Sequence, residues 1–321
     1  MLSFRSAYRW LAPAGSGSRL TILIFHRVRE RPDPLFPGEL DARAFESSMS
    51  WVTQWFNVLP LGAAVTGLCQ GRLPERPLAI TFDDGYADNA KLAAPILGRL
   101  GLPATFFIAT GFLDGGRMWN DTVIEAVRAA RGPLLDLGLL GLGEHPIGDA
   151  GSRRAAIDRL IGALKDVPPG PRTDKADRIA EIAGARLPTD LMMRAEDVQR
   201  LHAGGMTIGA HTVTHPVLNR VSDDAARSEI ALGRKRLEEI TNAPVRLFAY
   251  PHGKPVEDYD LRHVRLVRDL GFDGAVTTAW GAARASADPF QLPRFTPWDR
   301  QRWKYGLRLL KNLSESAQVP T

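Results

Sequence analysis

The sequence contains very little cysteine and no long apolar run. Cys69 is the only cysteine, so a disulfide within the chain is impossible. The surrounding Thr66-Gly67-Leu68-Cys69-Gln70 provides no base, and we interpret Cys69 as a small apolar residue that is buried or half-buried. No apolar stretch approaches the ~20 residues that a membrane-spanning helix requires. Disulfide scaffolds, cysteine nucleophiles and transmembrane helices are therefore excluded as interpretations.

The sequence also lacks a dense run of basic residues. Its 41 Lys and Arg against 36 Asp and Glu give a formal net charge of +5. The excess is spread along the chain and gathers only loosely at 153–178 and 294–311, which is typical of a solvated surface. We therefore predict no nucleic-acid partner and no obligate protein partner.

The first 20 residues have no signal-peptide core, because positive charges interrupt the apolar residues. If this segment is a helix, one of its faces is apolar and consists of Phe4, Ala7, Tyr8 and Leu11. Arg5 and Arg9 flank that face. Such a segment is suited either to peripheral contact with a membrane surface or to packing on its own domain. We expect a cytoplasmic protein, with any membrane contact at the inner face.

Short apolar runs alternate with helical patterns along most of the chain. Six runs are apolar on both faces and predict buried parallel strands: Leu20–Phe25, Leu78–Phe82, Ala104–Ala109, Met206–Ala210, Arg246–Tyr250 and Gly274–Thr278. The helical patterns between them predict right-handed βαβ units. The fold class is therefore α/β, either a barrel or an open doubly wound sheet.

One region breaks this alternation. Residues 113–190 hold helical patterns such as 122–130 and 152–165, separated by Gly/Pro-rich joints at 141–151 and 168–171. We interpret the region as a helical insertion on the barrel. The predicted organisation is an N-terminal amphipathic segment (1–19), the main domain (20–300), and a C-terminal helix and tail (301–321).

Two polar motifs directly follow predicted strands. Adjacent carboxylates at Asp83 and Asp84, in Thr-Phe-Asp-Asp-Gly-Tyr, are costly unless a cation or hydrogen-bond donors compensate them. His211 and His215 lie four residues apart, and Pro216 disfavours a helix there, so the pattern indicates a turn that presents two imidazoles. Two imidazoles and one carboxylate suit Zn²⁺ and leave a position for water. The alternative is an ordinary Asp-Asp-Gly turn and a separate structural histidine pair.

These motifs resemble the first two motifs of the polysaccharide deacetylases, the NodB-homology or carbohydrate esterase family 4 group. The resemblance extends from about Leu20 to Phe295 and is weakest across the insertion. It implies a distorted (β/α) TIM-like barrel and removal of an acetyl group from an N-acetylated glycan. It also implies that Asp83 is the catalytic base and that Asp84, His211 and His215 bind a divalent metal.

The third family motif matches only in part. Ala249-Tyr250-Pro251-His252-Gly253 keeps the proline and glycine, but Ala249 replaces an arginine and His252 replaces an aromatic residue. The resemblance implies that the His252 backbone N–H stabilises the oxyanion. Arg294 follows a late predicted strand and is a candidate for the missing charge beside the base, with an ordinary structural role as the alternative.

The expected late histidine motif is absent near the C-terminus. Phe25-His26-Arg27-Val28 instead resembles a segment of the poly-N-acetylglucosamine deacetylases, in which the motif order is permuted. This implies that His26 is the general acid, with a structural histidine as the alternative. We also predict substrate contacts for Tyr86, Trp119, Asp121, Tyr250 and Arg294. Trp280 and Trp298 are further candidates for an aromatic surface beneath a sugar ring.

Three functions remain open at this stage. The first is N-deacetylation of a glycan, and the second is hydrolysis of an O-acetyl ester or a cyclic amide on the same fold. The third is a metal-containing glycan-binding protein without activity, which the loss of the third-motif arginine favours. A base and an acid at Asp83 and His26 favour an enzyme, since a binding protein needs neither.

Overall fold

The computed structural model describes residues 4–315. The ends of the predicted N-terminal segment and C-terminal tail, residues 1–3 and 316–321, lie outside the described residues. The strands are β1 (Arg19–Phe25), β2 (Val28–Arg29), β3 (Leu40–Asp41), β4 (Asn57–Val58), β5 (Pro77–Phe82), β6 (Thr105–Ile108), β7 (Leu134–Asp136), β8 (Glu144–Pro146), β9 (Thr207–Ala210), β10 (Leu247–Ala249), β11 (Gly274–Val276) and β12 (Ala283–Arg284).

The helices cover most of the intervening chain. They are α1 (Phe4–Leu11), α2 (Ala42–Trp55), α3 (Leu61–Cys69), α4 (Ala94–Arg99), α5 (Trp119–Ala129), α6 (Ala150–Lys165), α7 (Pro169–Ile182), α8 (Ala195–Ala203), α9 (Asp223–Thr241), α10 (Leu261–Asp269) and α11 (Arg302–Ser314). A π-helical segment, Asn89–Ala93, leads directly into α4.

The main sheet is curled and has the order β11-β10-β9-β6-β5-β1-β12. Every neighbouring pair from β11 to β1 is parallel, and β12 joins the edge strand β1 antiparallel. The six strands from β11 to β1 correspond to the six predicted apolar runs. The predicted α/β class is therefore confirmed, and all six strands direct their carboxyl ends to one edge.

Residues 292–295 connect the two ends of the curled sheet. Leu292 forms a bridge with Val276 of β11, and Phe295 forms a bridge with Leu23 of β1. The Phe295 N–H donates to the Ile22 carbonyl at 2.8 Å, and the Ile24 N–H donates to the Phe295 carbonyl at 3.1 Å. We call residues 292–295 the closing segment, because it completes the distorted barrel where no long strand does so.

Alternate residues of the strands face two different hydrophobic clusters. In β1, Leu20 and Ile22 pack in an inner cluster with α3, whereas Leu23 and Phe25 pack in an outer cluster with α2. This alternation follows from the two-residue period of a strand. It continues past the strand ends, so Asp83 lies on the same side as Ala79 and Thr81, toward the interior.

The region between α5 and α7 has a hydrophobic cluster of its own. Buried apolar residues of α5, α6 and α7 pack together, and the β7–β8 hairpin lies against them. The two predicted joints are wrong in part. Residues 168–171 include the start of α7, because a proline is tolerated in the first turn of a helix. Residues 141–151 include β8 and the first residues of α6.

The predicted apolar face of α1 packs on the protein itself. Tyr8 is fully buried and its hydroxyl donates to the Gly306 carbonyl of α11 at 2.8 Å. Phe4 contacts Trp55 of α2, with 5.1 Å between ring centroids. This face is therefore not available to a membrane surface. Cys69 at the end of α3 is exposed, which corrects its interpretation as buried or half-buried.

Within residues 4–315, no helix combines the length and apolar character needed to cross a bilayer.

We predict that Gly209→Ala destabilises the fold. A Cβ at this position in β9 would lie 2.4 Å from Cδ1 of the buried Phe107 ring. Overpacking of this kind costs about 1–3 kcal/mol, to be measured by urea unfolding of the metal-free protein. Gly98→Ala in α4 is the matched control, because its added Cβ would meet nothing within 4 Å from the described residues beyond its own stretch of helix. Equal stability of the two variants would contradict the prediction.

Candidate metal centre and its surroundings

The predicted polar residues meet at the carboxyl ends of the parallel strands. His26 follows β1 directly, Asp83 follows β5, His211 follows β9, and His252 lies three residues after the end of β10. All four line one cavity of about 400 Å³. The helical region forms its opposite side, with Met118, Trp119, Asn120, Ile161 and Lys165. This edge is where (β/α) barrels place their chemistry.

Asp84, His211 and His215 form a compact set of metal-ligand atoms. Their candidate ligand atoms all lie within 4.8 Å of one another. Each histidine Nε2 is 3.4 Å from Asp84 Oδ1, and that buried oxygen accepts no hydrogen bond from any residue between 4 and 315. A buried carboxylate oxygen without a donor is costly unless a cation accompanies it. The set therefore fits a divalent ion.

The orientation of His211 supports this assignment. Its Nδ1 lies 2.7 Å from the Ala249 carbonyl, which can accept only if Nδ1 carries the proton. The lone pair is then on Nε2, the atom that faces Asp84. A hydrogen bond from the second ring nitrogen to a carbonyl is the usual way in which proteins orient a metal-binding histidine.

The electrostatics of the three groups also suit a cation. Burial alone would raise the pKa of Asp84, but the imidazoles of His211 and His215, each 3.4 Å from Oδ1, outweigh burial and hold that pKa below its usual range. Burial lowers the pKa of His215 well below its usual value, so its imidazole is neutral and able to bind a metal. Burial opposes the charged form of His211, but the carboxylates of Asp84 and Asp83 raise its pKa above the usual value. A divalent cation would compete with that proton.

The turn that holds His211 and His215 is fixed by a neighbouring helix. Glu229 of α9 accepts hydrogen bonds from the Val213 and Thr214 N–H groups, at 2.9 and 2.8 Å. The helix approaches closely at Gly233, where a Cβ would lie 2.8 Å from the Thr212 carbonyl. The predicted turn is confirmed. Glu229 was not predictable from the sequence, because no local pattern links it to a motif 14 residues earlier.

Several residues of the site have left-handed backbone conformations. The φ angles are 77° at Asp84, 66° at Thr212, 54° at His215 and 58° at His252. Such conformations are uncommon for residues with a Cβ and cluster at functional sites. At His215 the conformation is supported by its N–H, which donates to Thr212 Oγ1 at 3.1 Å.

Asp83 is held by a buried arginine from the closing segment. Arg294 Nη1 donates to Asp83 Oδ1 at 2.7 Å, and Nη2 donates to Oδ2 at 2.6 Å. The guanidinium is fully buried, and its Nε donates to the Thr277 carbonyl at 2.8 Å. Arg294 thus provides the charge that Ala249 in the third motif cannot. A two-point contact of this kind fixes both the position and the plane of the carboxylate.

His26 precedes the three metal-ligand residues in the sequence and His252 follows them, but both histidines line the same cavity. His26 is exposed, and its carbonyl accepts from Asn89 Nδ2 at 2.9 Å, which fixes the backbone at the end of β1. The His252 carbonyl accepts from Thr278 Oγ1 at 2.9 Å. Burial lowers the pKa of His252 to about 4, so its imidazole is neutral. Its ring centroid is 4.7 Å from that of His215.

The predicted substrate contacts divide into two groups. Trp119 and Tyr250 line the cavity. Tyr86, Asp121 and Arg294 are buried and do not line it, so direct contact with substrate is not supported for these three. The Tyr86 hydroxyl donates to Asp121 Oδ1 at 3.2 Å, so these two buried residues contact each other.

A group of charged residues that the sequence does not predict lies at the cavity. Lys165 at the end of α6 lies 3.0 Å from Glu257 and 3.4 Å from Asp258. Lys254 also lines the cavity and lies 3.3 Å from Glu257. Lys165 belongs to the predicted insertion, and nothing in the sequence indicates that its side chain returns to the barrel.

Comparison with known proteins places the chain in a family. The sequence profile described as Polysaccharide deacetylase matches residues 70–131 and 171–275, which is just over half of the chain. The chain belongs to the polysaccharide deacetylase family. The unmatched residues 132–170 lie within the helical region between α5 and α7.

Curated and structural relatives agree with this family. The Bacillus subtilis protein YxkH, whose name groups it with the polysaccharide deacetylases, is 21% identical over 86% of this chain and 71% of its own length. The Streptococcus pyogenes deacetylase PplD in complex with acetate has a TM-score of 0.60 at 17% identity, covering 92% of this chain and 98% of that one. IcaB from Ammonifex degensii has a TM-score of 0.59 at 18% identity, covering 95% and 99%. These similarities confirm the predicted distorted barrel.

We predict that Arg294→Met strongly destabilises the polysaccharide deacetylase fold. It leaves the Asp83 carboxylate buried and unpaired, and breaking a buried pair in this way costs about 3–5 kcal/mol. Urea unfolding of the metal-free protein measures this loss. Because Asp83→Asn removes the charge that Arg294 compensates, the double variant Asp83→Asn/Arg294→Met should recover part of it. Strictly additive losses would contradict the proposed coupling.

We predict that Asp121 makes stability depend on pH. Burial raises the pKa of Asp121 to about 7, although the charge of Arg27 opposes the shift. Between about pH 4 and pH 7 the folded state keeps a proton that the unfolded state has lost, so this contribution to stability falls as pH rises through that window. Asp121→Asn should therefore be more stable than the wild type at pH 8 by about 2 kcal/mol, with a smaller difference at pH 5.

The measurement is urea unfolding of metal-free protein at both pH values. Asp190→Asn is the control, because it removes an exposed carboxylate. If the change in unfolding free energy caused by Asp121→Asn is the same at pH 5 and pH 8, as expected for Asp190→Asn, the assignment of the pH dependence to Asp121 is wrong.

Proposed function

We propose that this protein is a metal-dependent hydrolase that removes the acetyl group from an N-acetylated sugar of a polysaccharide, oligosaccharide or lipid-linked glycan. The observation that carries the proposal is the position of Asp83. Asp83 lines the same cavity as the three metal-ligand residues, and Arg294 donates a hydrogen bond to each of its carboxylate oxygens. A metal site with a purely structural role does not require an oriented carboxylate beside it.

A divalent ion held by Asp84, His211 and His215, with Zn²⁺ as our proposed metal, would act as a Lewis acid and lower the pKa of a bound water toward about 7. Asp83 accepts the proton of the attacking water. The bidentate contact with Arg294 occupies one lone pair on each oxygen, and a carboxylate has about four such sites. Asp83 therefore keeps lone pairs for the proton while its orientation stays fixed.

The remaining steps are assigned to His252 and His26. The His252 backbone N–H donates to the oxygen of the former acetyl carbonyl as negative charge develops on it. His26 donates a proton to the sugar nitrogen as the carbon–nitrogen bond breaks. Acetate and a free amine are the products. The exposed position of His26 suits this role, because it must exchange its proton with solvent between turnovers.

Mass spectrometry across N-acetylhexosamine oligosaccharides, with and without chelator, tests the proposed activity. The expected result is a metal-dependent loss of one acetyl group together with a new free amine. O-acetylated oligosaccharides and a cyclic amide are assayed in parallel. Release of acetate only from the O-acetylated sugars, without a new amine, would instead identify an O-acetyl esterase, and ring opening of the cyclic amide without acetate would identify a cyclic-amide hydrolase. Absence of any product despite glycan binding would identify an inactive binding protein.

We predict that Asp83→Asn lowers turnover by about 10²–10⁴-fold, because general-base help of this kind is lost, while the metal stays bound. His211→Ala should lose both metal and turnover. Activity is followed by acetate release and metal content by elemental analysis of the purified variants. His202→Ala, outside the cavity, is the matched control and should keep both. Near-normal turnover by Asp83→Asn would show that Asp83 is not the base.

A further inference from the structure

A buried carboxylate, that of Asp258, borders the cavity. Asp258 lies between β10 and α10, lines the same cavity as the metal-ligand residues and is fully buried. Its Oδ2 accepts a hydrogen bond from the Lys254 N–H at 3.0 Å, which fixes the carboxylate. Its Oδ1 accepts no hydrogen bond from any residue between 4 and 315. A buried carboxylate oxygen left in this way is costly, so the site favours a ligand that brings a donor.

Lys165 approaches the same carboxylate from the helical region. It is the last residue of α6 and also lines the cavity. Its Nζ lies 3.4 Å from Asp258 Oδ1 and donates to Glu257 Oε1 at 3.0 Å. Partial burial lowers the pKa of Lys165, but the hydrogen bond to Glu257 and the charge of Asp258 raise it above its usual value. Lys165 is therefore protonated, and an ammonium group has three N–H donors, so it can also donate to a ligand.

The two opposite charges determine which ligand group fits beside them. The Asp258 carboxylate would repel an anionic group, and the Lys165 ammonium would repel a cationic one. A neutral group gains from both residues only if it donates to the carboxylate and accepts from the ammonium. An alcohol hydroxyl does this with a single atom, because its oxygen carries one proton and two lone pairs. The pair therefore suits a hydroxyl group, and a sugar ring carries several.

The pair of Asp258 and Lys165 lies within the same small cavity as the metal centre. The volume of about 400 Å³ is at the low end for small-molecule sites, which span roughly 300–1,000 Å³. Burial lowers the pKa of His252 and the charge of Asp258 opposes that shift, so this carboxylate lies near the His252 imidazole. The His252 ring is in turn 4.7 Å from that of His215, between centroids. One sugar ring can therefore reach both the metal centre and the pair.

We propose that Asp258 and Lys165 together bind one hydroxyl of the sugar that carries the acetamido group, and so determine which N-acetylated sugar is accepted. The proposal rests on the proposed function and deepens it. The hydroxyl donates to Asp258 Oδ1 and accepts from Lys165 Nζ. Lys165 lies within residues 132–170, which the family profile does not match. This part of the recognition therefore comes from the helical region and not from the family motifs.

The test uses methyl N-acetylglucosaminide and its 3-deoxy, 4-deoxy and 6-deoxy analogues with the zinc-loaded protein. Reaction is followed by acetate release and binding by isothermal titration calorimetry. For the wild type, one analogue should have a kcat/KM about 10- to 100-fold below that of the parent sugar, the loss expected when a hydrogen bond to a charged group is not formed. This ratio of parent to analogue is taken within each variant, so a uniform loss of folded protein cancels from it.

Asp258→Ala should bring the ratio to within about three-fold of unity, and Asp258→Asn should lower it less, because the amide keeps a neutral acceptor. Lys165→Met should lower the ratio for the same hydroxyl, and it decides the matter if the Asp258 variants do not fold. Glu257→Gln is the matched control, because Glu257 also pairs with Lys165 but does not line the cavity. It should keep the ratio of the wild type.

Acetate release with an unchanged ratio in Asp258→Ala and Lys165→Met, or with no discrimination by the wild type, overturns the recognition proposal and leaves deacetylation standing. An equal loss of the ratio in Glu257→Gln assigns the effect to the ion pairs that hold Lys165, and also overturns it. Binding that discriminates against one analogue only while Asp258 is present, without acetate release from any sugar, supports recognition and overturns deacetylation. Absence of both binding and release overturns both.

Discussion

The ion pair between Asp83 and Arg294 is the interaction on which the rest of the site depends. It joins residues 211 positions apart and lies where the two ends of the curled sheet meet. Five backbone hydrogen bonds connect the closing segment to β1, to β11 and to residues 277–279, and the buried bidentate contact adds a side-chain connection to the end of β5. Barrel closure and the orientation of the Asp83 carboxylate therefore depend on the same short segment.

The parts of the site that lie in local motifs were predictable from the sequence. Asp83, Asp84 and His211 each follow a buried apolar run directly, and strand ends in a parallel sheet converge on one edge. The left-handed conformations at Asp84, Thr212 and His215 were not predictable in detail, but Gly85 and Pro216 indicated that the chain does not continue as a helix. Local residue patterns were sufficient because the motif and its strand are adjacent in the sequence.

Contacts between distant segments were only partly predictable. Arg294 was a candidate because a charge was missing beside the base, yet an ordinary structural role was equally consistent with the sequence. Glu229 and Lys165 gave no signal, because each acts through tertiary packing of a helix. The contact between Tyr86 and Asp121 was not predictable for a related reason. Polar residues near a site often hydrogen-bond to one another, and sequence alone does not show which of them face substrate.

The left-handed residues at the rim have a consequence for how this protein can be improved. Glycine adopts such conformations without the penalty that a Cβ imposes, so selection for heat resistance would favour glycine at Asp84, Thr212 and His215. Each such change would remove a metal-ligand side chain or the hydroxyl that fixes the turn. At His252 only the backbone N–H is assigned to the reaction, and glycine retains it. A stabilising glycine would therefore damage the proposed site at Asp84, Thr212 and His215. At His252 it would leave the proposed backbone donor in place.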